Sequence, residues 1–359
     1  MNVLRCNTCH DTVAAYAPTC TCGGTIEWHP EPGVYEDIEA AQYHSCPYAS
    51  NSRLGYLIPP STPKQLRDKL DAPPEDKKVW KQGRDLHCAV FEPERFAREY
   101  RVATQCVGTT SKREQCKASG VVPVVGGFTC AKHAEQYKLD PDTVAISPTD
   151  MAMVQRAARS IWEHPLSAGF MLRAGAKREL TLVWDQVVPE MAFGHNGDIV
   201  VRCKARIDWY DPDFFGGLPM DLKGVRGAHV REFQKQAFYN GYLRQSVLYR
   251  FGLMAHDLPA KTFAALAVEK EGPCDLVVYY LGDDATGPLW RPGDTPVNLS
   301  ATVFLLLRLW HECHRTDVWP GYPAEVVRLS TPEWAWSEND RQCSNLLDQI
   351  ARLSETTTP

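Results

Sequence analysis

Residues 198–224, DIVVRCKARIDWYDPDFFGGLPMDLKG, read as two strands joined by a turn. Apolar residues recur along VVRCKARIDW and again along LPMDLK, with Asp-Pro-Asp and Gly-Gly between them, as turn residues separate paired strands. Asp208 closes the first run, and after twelve residues Asp221-Leu222-Lys223 follows on the second. Alternate side chains of an extended strand share a face, so Asp221 and Lys223 point together while Leu222 turns to the core. Two carboxylates from neighbouring strands can hold a hard divalent cation such as Mg2+. A lysine beside them can position water and offset charge developing on a phosphate. Aspartates and lysines at such spacing also occur as ordinary surface charge, so the flanking chain has to decide.

Outward from this stretch the periodicity is legible. RELTLVWD before it, and FAALAVEKEG and DLVVYYLGD after it, read as further strands. A single helix is expected over roughly Val230–Met254 and a last one around SATVFLLLRLWHECHR. Upstream, VWKQGRDLHCAVFEPERFAREY reads as two helical pieces broken at Pro93. SPTDMAMVQRAARSIWEHP reads as a helix capped by Ser147 or Thr149, with Met151, Val154, Ala158 and Ile161 on one face. The order predicts an α/β (α+β) core in which a central mixed sheet is flanked by helices. In the helix after Lys223, Tyr242, Gln245 and Tyr249 fall on one face. Polar and aromatic residues on a sheet-facing side suit a face that overlooks a site. His87, four residues after Gly83, is commonly a structural helix residue, but imidazole is also a natural third metal ligand.

The chain has 359 residues, 13 cysteines and a formal net charge of −5, with 44% apolar and 23% charged residues. That composition excludes wholesale disorder and a collagen-like or coiled-coil chain. The apolar run VFLLL stops at Arg308, short of the ~20 residues a spanning helix needs, and MNVLRCNTCHD lacks the apolar core of a secretory signal. A cytoplasmic protein without membrane attachment is expected, its cysteines serving as metal ligands and thiols rather than disulfides. Cys6, Cys9, Cys20 and Cys22 have the pattern of a zinc ribbon, with His10 an alternative ligand and unbound thiols the bland reading. Cys106, Cys116, Cys130 and His133 form a second candidate Zn2+ site, and CVGTTSKREQCKAS through GGFTCAKH resembles small zinc modules. That stretch has no apolar periodicity, so a metal is expected to supply much of its folding free energy. The expected domains are a ribbon at 1–30, the main domain at 31–340 with the zinc insertion at 103–137, and a tail at 341–359. Cys46, Cys88, Cys203, Cys274, Cys313 and Cys343 are left as free thiols.

In order along the chain, Gly83-x-x-x-His87, Asp208, Asp221-x-Lys223 and Gln245-x-x-x-Tyr249 resemble the PD-(D/E)xK nuclease superfamily in its RecB-type arrangement. YHSCPYASNSRL, GRDLHCAVFEPERF, KARIDW, MDLKG, FQKQAFYNGYLRQSVLY, VEKEGPCDLVVYYL and WPGY with PEWAW look like the nuclease domain of the RecE-type exodeoxyribonuclease VIII family and its phage relatives. The likeness runs from about Val34 to Trp336, without the Cys106–His133 module. It implies a restriction-endonuclease-like core whose Mg2+ or Mn2+ is held by His87, Asp208, Asp221 and the Leu222 carbonyl. Lys223 is then the catalytic lysine, Gln245 and Tyr249 support the site and contact DNA, and Glu179 serves a second metal or the outer shell, or is simply an exposed strand-edge glutamate. Arg226, Tyr242 and Arg244 are candidates for DNA contact. The implied activity is metal-dependent digestion of linear double-stranded DNA from its ends, 5′ to 3′. The implied partners are DNA ends, further copies in a toroidal homotetramer and a single-strand annealing protein in recombination.

The chain departs from that family in three ways: Gly224 stands where threonine is usual, the zinc insertion interrupts the domain, and the N-terminal ribbon is an addition. One rival is a non-catalytic nucleic-acid-binding protein whose zinc modules carry function on a relic core. Another is an iron–sulfur nuclease, which needs three closely spaced cysteines near the C-terminus, whereas Cys274, Cys313 and Cys343 lie far apart. The global acidity weighs weakly against DNA, but residues 223–250 carry six Lys/Arg against one acid and 101–133 carry five against one. Basic charge is concentrated where a phosphate backbone would pass.

Overall fold

In the computed structural model the described residues are 3–13, 19–72, 78–112, 114–189, 197–281, 299–322 and 341–344. They belong to two compact units, Met1–Pro320 and Gly321–Pro359, and the sheet and the candidate sites lie in the first. The PEWAW segment ending at Trp336, the first half of the HNGD turn, and the expected tail apart from residues 341–344 lie outside the described residues.

Six strands build the central sheet: β1 (Gly33–Tyr35), β2 (Lys177–Val188), β3 (Ile199–Asp211), β4 (Leu218–Val225), β5 (Phe263–Glu269) and β6 (Leu276–Leu281). They lie side by side in chain order. Every neighbouring pair is antiparallel except β4 and β5, which run parallel. The helices are α1 (Lys78–Phe91), α2 (Pro148–Glu163), α3 (Val230–Tyr239), α4 (Tyr242–Met254) and α5 (Leu299–Thr316). A parallel step requires a crossover connection, and α3 with α4 supplies it.

The single helix expected over 230–254 is two helices. Asn240 closes α3, and Gly241 adopts a left-handed conformation at φ +70° before α4 begins. Helical periodicity continues across the break, and one glycine inside such a pattern is compatible with an unbroken helix. The turn frees α4 to lie across the sheet, with every residue from Ser246 to Leu253 buried. α4 and α5 cover one face, packing Val247, Leu253, Phe304 and Leu307 against Leu182, Trp184, Ala205 and Ile207. α1 and α2 cover the other, packing Leu86, Val90, Ala157 and Ile161 against Trp209, Met220, Leu222 and Leu266. Ser147 caps α2, its Oγ accepting from the Asp150 amide at 3.1 Å.

Two irregularities in the sheet position the site. Cys203, Ala205 and Ile207 of β3 face α4, yet Trp209 faces α1, so the side-chain alternation slips at Asp208. Opposite the slip the β2–β3 ladder pairs Ile207 with Leu180 and Trp209 with Arg178 but leaves the position between them unpaired. Glu179 sits there at φ +51°, a conformation that costs a non-glycine residue about 1–3 kcal/mol. The second irregularity is a fork. β3 and β4 pair only over Trp209–Asp211 and Leu218–Met220, and beyond Asp208 they part.

The cysteine-rich segments flank this core. Val3–Cys6, Thr12–Val13 and Ile26–His29 make a small three-stranded sheet. The second segment leaves and rejoins the core where Tyr100–Val102 pairs in parallel with Val144–Ile146. Within it lie a hairpin, Val122–Val124 with Gly127–Thr129, and a short 3-10 helix, Ala131–Gln136.

The turn between β3 and β4 gives a test of the fork. Gly217 has φ +92°, and a Cβ there would lie 1.9 Å from the Pro259 carbonyl oxygen. Gly217→Ala should therefore destabilise the protein by about 3 kcal/mol or more. At Gly227 the nearest atom to an added Cβ is 3.7 Å away, and Gly227→Ala should stay within about 0.5 kcal/mol of wild type. Denaturant titration of the two variants checks the contrast.

Candidate active site

At the fork Asp208 replaces a missing strand partner. Its Oδ2 accepts the Leu222 amide at 2.7 Å, a bond the β3–β4 ladder no longer makes. The Leu222 carbonyl lies 3.0 Å from His87 Nε2, brought in by α1 from the opposite face of the sheet. The other ring nitrogen of His87 lies 3.5 Å from Asp208 and 3.9 Å from Glu179. Potential ligand atoms of His87, Glu179 and Asp208 all fall within 4.8 Å of one another. The left-handed backbone of Glu179 thus turns its carboxylate to the same point as Asp208.

Asp221, one residue before Leu222 on β4, is almost fully buried. Its Oδ1 accepts from Gln245 Nε2 at 2.8 Å and from the Tyr249 hydroxyl at 3.1 Å, and its Oδ2 lies 2.5 Å from Lys223 Nζ. Lys223 Nζ also donates to Gln245 Oε1 at 2.9 Å and lies 4.3 Å from the centroid of the Tyr242 ring. Gln245 therefore bridges the carboxylate and the ammonium, and α4 presents Tyr242, Gln245 and Tyr249 together on one side. Strand alternation puts Asp221 and Lys223 in the site, while Leu222 packs with Leu86 and Met220.

Among the residues expected to contact DNA, Arg226 is exposed just past β4. Arg244 is turned away and pinned to the backbone and side chain of Asn51, with bonds of 3.3 and 2.9 Å. Arg206 is the site residue that sequence reasoning missed. Its Nε lies 2.7 Å from Glu179 Oε2, off the line of its N–H, making an ion pair rather than a directed hydrogen bond. The Tyr249 hydroxyl oxygen also lies 2.5 Å from the Arg206 carbonyl, so its single proton is shared between that oxygen and Asp221. Two residues before Asp208 in KARID, Arg206 falls on the same strand face as Asp208 by simple alternation, so the signal that could have found it was present in the sequence.

The titrations follow from this crowding. Burial pushes Asp208 up, and the neighbouring Asp221 charge adds to it, to about 8. Burial alone would lower His87, but the carboxylates of Asp208, Glu179 and Asp221 outweigh it and raise the imidazole to about 9. Glu179 moves the other way: burial would raise it, and His87 with Arg206 hold it below its usual range. Lys223 is raised, since Asp221 more than offsets the cost of its burial.

Both cysteine groups converge as well. The ligand atoms of Cys6, Cys9, Cys20 and Cys22 lie within 4.8 Å of one another, as do those of Cys106, Cys116, Cys130 and His133. In the first, Cys6 and Cys22 sulfurs are 3.4 Å apart and Cys9 and Cys20 sulfurs 3.7 Å. A tetrahedron with metal–sulfur bonds of ~2.3 Å has edges of ~3.8 Å, so the spacing fits one ion. Backbone amides at Thr8 and Cys9 point at Cys6 Sγ, and the Cys9 amide leads in lowering that thiol to about 6. In the second group, burial would raise Cys106, but the Cys130 amide, His133 and the Gly108 amide bring it down to about 6. His10 is not part of the first group.

A family model described as a PDDEXK-like domain of unknown function (DUF3799) matches residues 61–288, more than half of the chain. No curated protein matches the sequence. Among solved structures, the chain is similar to a protein from Eubacterium rectale assigned as an exonuclease, with 11% identity and a TM-score of 0.44 over 83% of this chain and 97% of that one. It is also similar to SSO0001, with 14% identity and a TM-score of 0.25 over 48% of this chain and 70% of that one. No helix among the described residues is long and apolar enough to cross a membrane.

The pKa shifts predict how a divalent cation would compete with protons here. Asp208 at about 8 and His87 at about 9 both bind protons in the folded, cation-free protein at pH 7, where free aspartate and histidine, at 3.8 and 6.5, largely do not. The proton-linked stability is therefore full at low pH and lost progressively as pH rises, from 3.8 to about 8 for Asp208 and from 6.5 to about 9 for His87. A cation must displace those protons, so Mg2+ or Mn2+ should bind more tightly, and raise the melting temperature more, at pH 9 than at pH 7. Calorimetric titration in buffers of different ionisation heat counts the protons released.

Proposed function

The chain belongs to the family of PDDEXK-like domains, and from that membership and the cluster at the β3–β4 fork we propose that it is a divalent-metal-dependent nuclease acting on DNA. The observation that carries the reading is the Lys223 ammonium held 2.5 Å from Asp221, beside the Asp208–His87–Glu179 group. Three carboxylates, an imidazole and the Leu222 carbonyl are the oxygen-rich donor set that Mg2+ or Mn2+ takes. Buried carboxylates are costly unless compensated, and Asp208 has only an amide and His87 to compensate it. His87, Asp208, Asp221 and the Leu222 carbonyl would hold the ion, with Glu179 at its margin. A divalent cation there supplies positive charge to the phosphate oxygens and makes water more acidic.

The chain's own groups do the rest. Lys223 stays protonated between Asp221 and the Tyr242 ring, where its Nζ can donate to the attacking water or to a non-bridging phosphate oxygen as charge builds. Gln245 and Tyr249 fix the Asp221 carboxylate by two hydrogen bonds, so it cannot rotate away from the site. Arg206 holds Glu179 and leaves its second oxygen facing His87. Digestion of linear duplex from a 5′ end is the finer form of the proposal. It is supported by the RecE-type text around these residues and by the basic surplus over 223–250. The two cysteine groups are proposed as structural Zn2+ sites, supported by their convergence and by the lowered Cys6 and Cys106 thiols.

Lys223→Ala and Asp221→Asn should each lower cleavage by at least about 10²–10³-fold in a protein that still unfolds cooperatively, with a melting temperature lowered by the loss of the buried pair. The assay is Mg2+-dependent digestion of linear duplex labelled at the 5′ or 3′ end, with closed circles as control. Wild-type rates in Lys223→Ala would overturn the site, and no cleavage by the wild type with Mg2+ or Mn2+ would favour a non-catalytic DNA-binding role. Elemental analysis of the purified chain should find two zinc ions per molecule, and Cys116→Ser should remove one of them.

A further inference from the structure

A cavity of about 500 Å³ opens beside Lys223, where the parallel strands β4 and β5 end. Ligands of open α/β sheets bind in the crevice beyond the carboxyl ends of such strands, and the volume is that of a small-molecule site. Arg226 enters it from the end of β4, Lys270 from the end of β5, Gln236 from α3, Asn240 from the turn after it, and Tyr242 from α4. Arg226 and Lys270 make no ion pair among the described residues, and with Glu271 also in the lining the cavity carries two cations against one carboxylate. The carboxamides are only partly used: Gln236 Nε2 reaches the Gly227 carbonyl at 3.4 Å and Asn240 Nδ2 the Tyr242 hydroxyl at 3.2 Å. Tyr242 lines the cavity and also holds the Lys223 ammonium over its ring.

Gly224, directly after the lysine, keeps the space open. A Cβ there would lie 3.2 Å from Lys270 Cδ and 3.4 Å from Leu86 Cδ2, so a small side chain requires Lys270 to give by a few tenths of an ångström and a branched one such as threonine requires more.

We propose that the cavity is a nucleotide subsite. It takes one nucleotide of the strand whose neighbouring phosphate lies at Lys223. Arg226 and Lys270 bind its phosphate, Gln236 and Asn240 bind the base edge, and Tyr242 packs against the base. Two cations, neutral amides, one aromatic ring and a single carboxylate, Glu271, which can accept from a base amino group or a sugar hydroxyl, match a nucleoside monophosphate better than a bare anion, which would leave most of the volume unfilled. The inference rests on the nuclease reading for the strand, but the subsite can be measured without cleavage.

The experiment titrates dAMP, dTMP, deoxyadenosine and inorganic phosphate into the full chain by calorimetry, without added Mg2+. A mononucleotide should bind about tenfold or more tightly than phosphate or nucleoside, since only it satisfies both halves of the site. Lys270→Ala, Gln236→Ala and Gly224→Thr should each weaken it about fivefold or more, with melting curves showing that the variants are folded. Equal affinity for phosphate and mononucleotide, unchanged binding in folded Lys270→Ala and Gly224→Thr, or no saturation by about 10 mM would overturn the subsite. Nucleotide binding without cleavage by the wild type would remove the nuclease reading and leave the subsite standing. Cleavage without nucleotide binding would do the reverse.

Discussion

The structure turns on one hydrogen bond, from the Leu222 amide to the Asp208 carboxylate. Where β3 and β4 stop pairing, the inner edge of β4 presents an unpaired N–H and an unpaired C=O inside the protein. Buried main-chain groups without partners are costly, and a fork of this kind is stable only if side chains supply what the absent strand does not. Asp208 takes the amide and His87 reaches the carbonyl. The groups that repair the sheet are therefore the groups that define the candidate metal site. Removing the carboxylate would harm folding and chemistry together, which is why Lys223, not Asp208, is the cleaner probe of function.

Concentrating Glu179, Asp208 and Asp221 in a buried space creates a second constraint. Each carboxylate is countered differently: Glu179 by Arg206, Asp221 by Lys223 with Gln245 and Tyr249, and Asp208 only by an amide and the nearby imidazole. The least compensated group is the one whose acidity is most suppressed. A protonated Asp208 and a protonated His87 are the cation-free solution to the same electrostatic problem that a divalent ion would solve. The strain at Glu179 belongs to the same account, since the left-handed turn is what aims its carboxylate inward.

Much of this was legible from Asp221-Leu222-Lys223 alone, because strand alternation is rigid and puts positions two apart on one face. The helix face of Tyr242, Gln245 and Tyr249 was legible for a similar reason, a period of 3.6 over a buried helix. The slip at Asp208 was not. It needs one residue on the neighbouring strand to adopt φ +51°, and Glu179 carries no glycine or asparagine signature that would announce it. Arg206 was passed over although alternation sets it on the face of Asp208, two residues away, and the break at Gly241 was hidden because the periodicity resumes in phase. Arg244, read as a contact for DNA from its charge, is held by Asn51, some 190 residues earlier in sequence, a tertiary pairing that no local pattern encodes.

The insertion between α1 and α2 shows how such a core tolerates added chain. Helix α1 carries His87, so any distortion passed from the insertion would reach the site. Its two ends are instead clamped side by side by the parallel pair Tyr100–Val102 and Val144–Ile146, and the entropic cost of closing the intervening loop grows only slowly with its length. Inside that clamp the segment has few apolar residues to bury and relies on Cys106, Cys116, Cys130 and His133 converging. A metal held by these four residues would supply the segment's stability from local ligands and demand nothing of the sheet. The core and the insertion can therefore be held by separate physical means, and the geometry at the β3–β4 fork need not change to accommodate the added chain.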